Sequence, residues 1–206
     1  MIAVNWLSPK DLIDTFGVAG LLLVVFLESG VLPVPFPGDS LLFIAGFFAS
    51  TGANSSDPHL NLFGVVVGSF LAAVLGAQVG YWIGHRVGPG LLDRPDRPRL
   101  HAGVARARAA LDRYGTAKAI VLARFIPVVR TVLNPLAGTV GVPARTFTTW
   151  QVVGGLAWSL GVTLAGYALG SRIPDIDHYL LPIVAVIVVV SLIPVALELR
   201  RARART

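Results

Sequence analysis

The sequence predicts an all-α membrane protein: an inverted repeat with two broken re-entrant hairpins, transmembrane helices and one helix lying at the cytoplasmic interface. Three observations carry that expectation. Hydrophobic residues make up 54% of the chain and charged residues only 14%, whereas a soluble domain carries about 25% charge. Apolar segments recur at residues 18–50, 60–85, 117–141, 147–170 and 179–197, matching the ~20 helical residues that cross a hydrocarbon core of ~30 Å. Two of these segments, 18–50 and 117–141, are interrupted by prolines, glycines and charges. With 206 residues given, residues 1–206 are expected to form one membrane domain without a separate soluble one.

Taken in order, the first hydrophobic run follows Lys10, Asp11 and Asp14 and has no small-residue cleavage pattern, so it is expected to be retained. Segment 18–50 places Glu28, Gly30, Pro33, Pro35, Pro37, Gly38 and Asp39 at its centre. A straight helix through Pro-Val-Pro-Phe-Pro-Gly is implausible, since each interior proline removes a backbone bond and costs about 3 kcal/mol. Segment 60–85 is uninterrupted, and Gly64, Gly68, Ala72, Gly76, Gly80 and Gly84 repeat every fourth residue along it. Such a stripe of small residues makes a close-packing helix face. In the basic stretch 89–116, Pro89, Pro95 and Pro98 predict an extended start. Leu100 to Tyr114 then reads as a helix, with Val104, Ala107 and Leu111 on one side and Arg106, Arg108 and Arg113 elsewhere, lying on the anionic inner leaflet.

Segment 117–141 is the most informative part of the chain, because Arg124, Pro127, Arg130, Asn134, Pro135 and Gly138 run through an otherwise apolar stretch. A charge at the bilayer centre costs from roughly 2.5 to more than 10 kcal/mol, so two arginines beside a helix break point to a polar substrate or ion. Segment 147–170 returns to an unbroken helix, 179–199 is a terminal transmembrane helix, and 200–206 is a basic tail.

Charge sets the expected sidedness. Eight of the 17 basic residues lie between Arg86 and Lys118, and four more are Arg200, Arg201, Arg203 and Arg205. Lysine and arginine collect in cytoplasmic loops, which places both regions and the C-terminus inside. Residues 51–59 carry no Lys or Arg, and 171–178 carry one Arg against two Asp, so these face outside. Segment 117–141 must then leave and return on one side. Non-helical backbone at that depth is tolerated only when buried in protein or lining a wet cavity.

The broken segments read as copies. Pro35, Ala45 and Gly46 match Pro127, Ala137 and Gly138 at one offset, and Gly80-Tyr81-x-x-Gly84-x-Arg86 matches Gly166-Tyr167-x-x-Gly170-x-Arg172. The repeats span about 18–88 and 117–172, and their following helices run in opposite directions. Paired broken helices with a midplane site between inverted repeats recur in secondary transporters.

The segment Ala123-Arg124-Phe125-Ile126-Pro127-Val128-Val129-Arg130-Thr131, with Ala137-Gly138, resembles the signature of the DedA family, also called the SNARE-associated Golgi protein or VTT-domain superfamily. Glu28 before Pro35, Pro37, Gly38 and Asp39 looks like the family's acidic and Pro-Gly-acidic motifs. Gly80-Tyr81-x-x-Gly84-x-Arg86-x-Gly88 and Gly154-x-x-x-Trp158 before Gly166-Tyr167-x-x-Gly170 fall in the same order, and the resemblance covers about 16–172. Ala77 stands where the family often has an acid, and Val142 where it often has Met, leaving Glu28 and Asp39 as the membrane-embedded acids. The resemblance implies a bacterial cytoplasmic-membrane protein that moves lipids between leaflets, with undecaprenyl phosphate or phospholipid as cargo and a link to the proton motive force. It assigns substrate binding to Arg124 and Arg130 and proton coupling to Glu28 and Asp39. The helix breaks fall at Pro35, Pro37, Gly38, Pro127 and Gly138.

The side-chain chemistry fits that task. A guanidinium stays protonated and its planar fork matches phosphate oxygens. Burial raises a carboxyl pKa and a nearby arginine lowers it, so an acid facing the arginines can trade its proton as phosphate arrives and leaves. The plainer reading has Arg124 and Arg130 neutralise Glu28 and Asp39 in a structural ion-pair cluster. Arg86, Arg172 and Arg145 read as interfacial anchors, Asn134 and Gln151 as hydrogen bonds between helices, and Trp82, Trp150 and Trp158 as packing or interfacial aromatics.

Other classes fit less well. The net charge of +6 comes with no nucleic-acid-binding module. There is no cysteine, and His59, His85, His101 and His178 lie in loops or at helix ends away from the arginines, so no enzyme, metal site or cofactor is expected. A proton-coupled exporter of small cations or drugs, using Glu28 and Asp39 directly, is the alternative, with a membrane lipid-phosphate enzyme behind it.

Overall fold

The computed structural model describes residues 9–30, 38–50, 60–92, 96 and 98–172, and every regular element in them is a helix. These are α1 (Pro9–Gly30), α2 (Gly38–Phe48), α3 (Leu62–Leu92), α4 (Pro98–Tyr114), α5 (Thr116–Ala123), α6 (Pro127–Thr139) and α7 (Ala144–Arg172). Pro35 and Pro37, the loop 51–59, the segment 179–199 and the tail 200–206 lie outside the described residues.

Helix length follows from where the breakers fall. α3 has 31 residues and α7 has 29, both apolar enough to cross a membrane; at 1.5 Å per residue each exceeds the ~30 Å core. α5 has eight residues and α6 thirteen, about 12 and 20 Å, so neither crosses alone. α1 is kinked at Gly17, whose φ of 58° only glycine adopts readily. The extended start expected after Pro89 does not form over residues 89–92, and residues 93–95 and 97 lie outside those described. α3 runs through Pro89 to Leu92, where the lost backbone bond falls near a helix end. α4 begins at Pro98, the first helical position where a missing N–H costs nothing.

The described residues divide into two compact units: 9–21, 38–50, 60–66 and 161–172 in one, and 22–30, 67–92, 96 and 98–160 in the other. In the first, Gly46 and Gly166 bring α2 and α7 together: a Cβ on Gly46 would strike the Thr163 backbone, and one on Gly166 the Phe43 carbonyl. In the second, Gly138 meets the backbone of Tyr81 and Gly84 that of Pro135, joining α6 to α3 in the same manner. The second pair of contacts is the first displaced by 92 residues on the short helix (Gly46 to Gly138, Phe43 to Pro135) and by 82 on the long one (Thr163 to Tyr81, Gly166 to Gly84). By contact, therefore, Gly166 matches Gly84. The shared Gly-Tyr pattern, which aligns Gly166 with Gly80, is one helical turn out of step with the packing.

Polarity is arranged inside out. Leu71, Leu75, Val79, Trp82 and Ile83 on α3, and Val153, Leu156, Leu160 and Leu164 on α7, are exposed, whereas Ser69, Gln151, Ser159 and Thr163 on the same helices are buried. Apolar surface on that scale needs a nonaqueous neighbour, and the polar groups find partners within: Ser69 and Ser159 share a hydrogen bond of 2.6 Å. α4 does not spend its apolar side on lipid. Val104 and Ala107 are buried, and Ala107 packs with Ala123 of α5 and Leu133 of α6. Arg106, Arg108 and Arg113 are left on the exposed side.

Candidate functional site

Pro127 creates the site by ending one helix and starting another. The residue before a proline is pushed out of the helical region, and Ile126 is extended, at φ −117° and ψ 106°. The chain tightens ahead of it through three successive short-turn bonds, from Arg124, Phe125 and Ile126 to Val121, Leu122 and Ala123. Arg124 thereby caps the C-terminus of α5, the negative end of a helix and a favourable place for a cation. Arg130 falls in the first turns of α6, and Asn134 follows one turn later on the same face. Gly138, expected at a break, lies inside α6, where its missing side chain admits α3. The actual stop is a Schellman motif at Gly141, φ 79°, in which Gly141 N–H donates to Gly138 and Val142 N–H to Ala137.

Two further helices complete the wall. α1 is pressed backbone to backbone on α3, since a Cβ on Gly30 would meet Gly76, and this fixes Glu28 and Ser29. α7 supplies Gln151 and Trp158, two turns apart on one face. Between them Gly154 admits Val121 of α5, and Gly155 lies beside the Arg124 guanidinium.

Arg130 Nη2 donates to Glu28 Oε1 at 2.5 Å in an ion pair whose side chains are 3% and 2% exposed. Arg124 Nη1 donates to Gln151 Oε1 at 2.9 Å, Gln151 Nε2 to Asn134 Oδ1 at 2.6 Å, and Asn134 Nδ2 to the Ser29 carbonyl at 2.5 Å. Both guanidiniums face the indole of Trp158, Arg124 at 5.4 Å and Arg130 at 5.0 Å from the ring centroid. These are cation–π distances, and the attraction grows as water is excluded. Arg124, Arg130, Glu28, Asn134, Gln151 and Trp158 are all buried.

Of the residues expected from sequence, Arg124, Arg130 and Glu28 come together. Asp39 belongs to the other compact unit, in the first turn of α2, where a carboxylate suits the positive end of a helix. Gly38 starts the same helix. From sequence alone, Asn134, Gln151 and Trp158 carry only packing, interfacial and hydrogen-bonding roles. Their spacing carried a signal: Asn134 is four residues after Arg130, and Gln151 is seven before Trp158, on single faces of apolar helices. Among the described residues, no group of three or more His, Cys, Asp or Glu gathers with metal-binding geometry.

The family described as the VTT domain matches residues 36–168. Protein DedA of Escherichia coli K12 is 36% identical over 203 residues, covering 95% of this chain and 90% of its own. An uncharacterized membrane protein of Mycobacterium tuberculosis H37Rv is 37% identical over 198 residues, 95% of this chain and 84% of the relative. Inner membrane protein YghB of Escherichia coli K12 is 35% identical over 158 residues, 75% and 68% respectively. No solved structure matches the chain.

Proposed function

We propose a lipid-moving function from one premise: the chain belongs to the VTT-domain family, also called the DedA family, and is a membrane protein. The protein carries a phosphate-bearing lipid, undecaprenyl phosphate or a phospholipid, between leaflets of a bacterial cytoplasmic membrane, with its C-terminus on the cytoplasmic side. The observation that supports this most is the burial of two arginines against one indole ring beside a helix break, with Glu28 already bound to one of them.

The chemistry runs as an exchange of anions. Arg130 holds the Glu28 carboxylate in the resting state, and an arriving lipid phosphate competes for the same guanidinium with charge-assisted, bidentate geometry. The displaced carboxylate is left in a low-dielectric site, where taking up a proton relieves the cost of an unpaired charge. Losing that proton restores the ion pair and expels the phosphate. Asp39 serves as the second proton-coupling acid, and α5 and α6, too short to span, form the re-entrant hairpin. No covalent bond is made or broken in this exchange.

Reconstitution tests it. Purified protein in phosphatidylethanolamine and phosphatidylglycerol vesicles is expected to move a fluorescent phospholipid or a polyprenyl phosphate, and Arg124→Ala and Arg130→Ala to slow that movement severely while leaving a measurable rate. Normal lipid movement by both variants sinks the mechanism. Drug efflux without lipid movement supports the exporter instead, and release of inorganic phosphate supports an enzyme.

A further inference from the structure

The hydrogen bonds through Gln151 and Asn134 run head to tail, and their direction is forced at both ends. A guanidinium has donors and no acceptor, so Gln151 must turn its carbonyl oxygen to Arg124. Its amide nitrogen then donates to the Asn134 oxygen, and the Asn134 nitrogen to the Ser29 carbonyl, which can only accept. Neither amide can flip alone without placing donor against donor or acceptor against acceptor. The chain of bonds ends on Ser29, the residue after Glu28. Arg124 on α5 is thereby connected, through α7 and α6, to the same turn of α1 that holds the Arg130 counterion.

All four partners are buried: Asn134 is 1% exposed, Gln151 2%, Ser29 3% and Arg124 1%. Bonds among buried polar groups polarise one another, and a broken link leaves its neighbours with the full penalty of an unmet group. Such a line of bonds changes as a unit.

We propose that Asn134 and Gln151 are positioning residues that couple Arg124 to the Glu28–Arg130 pair, so that both arginines take up and release one lipid phosphate together. The inference deepens the lipid-phosphate reading and rests on it. A phosphate oxygen that binds Arg124 Nη1 competes with the Gln151 carbonyl. The rearrangement passes through Asn134 to the Ser29 carbonyl and so to the position of Glu28. An arginine merely satisfied by a nearby amide does not behave this way: its loss and the loss of Asn134 act independently.

The experiment has two readouts, and only one depends on transport. With Trp6, Trp82 and Trp150 replaced by Phe, Trp158 is the sole tryptophan and reports on the two guanidiniums stacked over it. Asn134→Leu, which leaves the Trp158 ring, Arg124 and its direct partner Gln151 in place, is expected to shift Trp158 emission in the purified protein without any lipid substrate. Unchanged emission overturns the coupling. In vesicles of phosphatidylethanolamine and phosphatidylglycerol, the movement of labelled phosphatidylethanolamine is expected to slow at least about tenfold in Asn134→Leu. The Arg124→Ala/Asn134→Leu double variant is expected to be within about twofold of Arg124→Ala alone, the non-additivity of residues that act as a unit. Losses that multiply, or a folded Asn134→Leu that transports within twofold of wild type, overturn it. Should Asn134→Leu not purify as a folded protein, Gln151→Met, unbranched and of similar length, carries the same measurements with Arg130→Ala as its partner. A wild type that moves no phosphate-bearing lipid removes the functional reading, while the Trp158 emission still decides whether the relay positions Arg124.

Discussion

Glu28 and Arg130, 102 residues apart in the chain, meet at 2.5 Å with both side chains buried. Two charges withdrawn from water tolerate each other's presence better than either tolerates being left alone. Glu28→Leu should therefore destabilise the protein by about 3–5 kcal/mol, the usual cost of breaking a buried pair from one side. The double variant Glu28→Leu/Arg130→Met should recover much of that loss, although it transports nothing. Thermal unfolding in detergent checks the order, and a double variant as unstable as the worse single one would show that the pair is not the unit.

Glu28→Gln keeps the shape of the side chain and removes its charge and its proton. If the carboxylate is what phosphate displaces, lipid movement driven by an imposed proton gradient should lose its dependence on that gradient in this variant. Measuring flux across a series of external pH values decides it, since a pH profile matching wild type removes Glu28 from the coupling.

Trp158 joins the two arginines without being charged itself. Each cation–π contact is worth from about 0.5 to 2 kcal/mol as the site becomes drier, and with both contacts to the one indole gone the two guanidiniums lose the negative ring face that offsets their mutual repulsion. Trp158→Leu should lower the unfolding temperature and slow lipid movement, while Trp158→Phe, which retains an aromatic face, should preserve most of both. Equal behaviour of the two variants would make the indole a space-filler.

Much of this was legible in the residues, for reasons that differ by level. The break at Pro127 and the charges on either side of it could be read because proline acts locally on Ile126 and a buried arginine has few innocent uses. The partnership of Arg130 with Glu28 rests on contacts between distant residues, and a single sequence carries no signal of which acid meets which base. Asn134 and Gln151 were visible as polar residues on apolar helices, but their order in a directed chain depends on where α1, α6 and α7 meet. The register of the matching glycines misled for a similar reason. Gly80 and Gly166 share a local pattern, whereas it is Gly84 and Gly166 that meet equivalent backbone positions.

Those glycines give a sharp contrast in expected stability. A Cβ on Gly138 or Gly84 would collide with backbone, which cannot swing aside, so Gly138→Ala and Gly84→Ala should prevent accumulation of folded protein. Gly161 lies in the middle of α7 with nothing within 4 Å of its added Cβ. Gly161→Ala should therefore stabilise by about 0.5–1 kcal/mol through backbone entropy alone. Expression level and melting temperature test both arms, and tolerance of Gly138→Ala would mean that α6 and α3 are not packed backbone to backbone.

α4 separates two meanings of an amphipathic basic helix. A helix that lies on lipid leaves its apolar residues replaceable, at the cost of membrane affinity, whereas one packed on protein makes them part of the core. Ala107 is 5% exposed and contacts Ala123 and Leu133, one on each side of the helix break that carries the arginines. Ala107→Asp should bury an unpaired carboxylate there and unfold the second unit, whereas Arg108→Gln, on the exposed side, should leave the melting temperature within about a degree, as surface changes usually do. A folded, transporting Ala107→Asp protein would return α4 to the membrane surface and take away its support for the α5–α6 break.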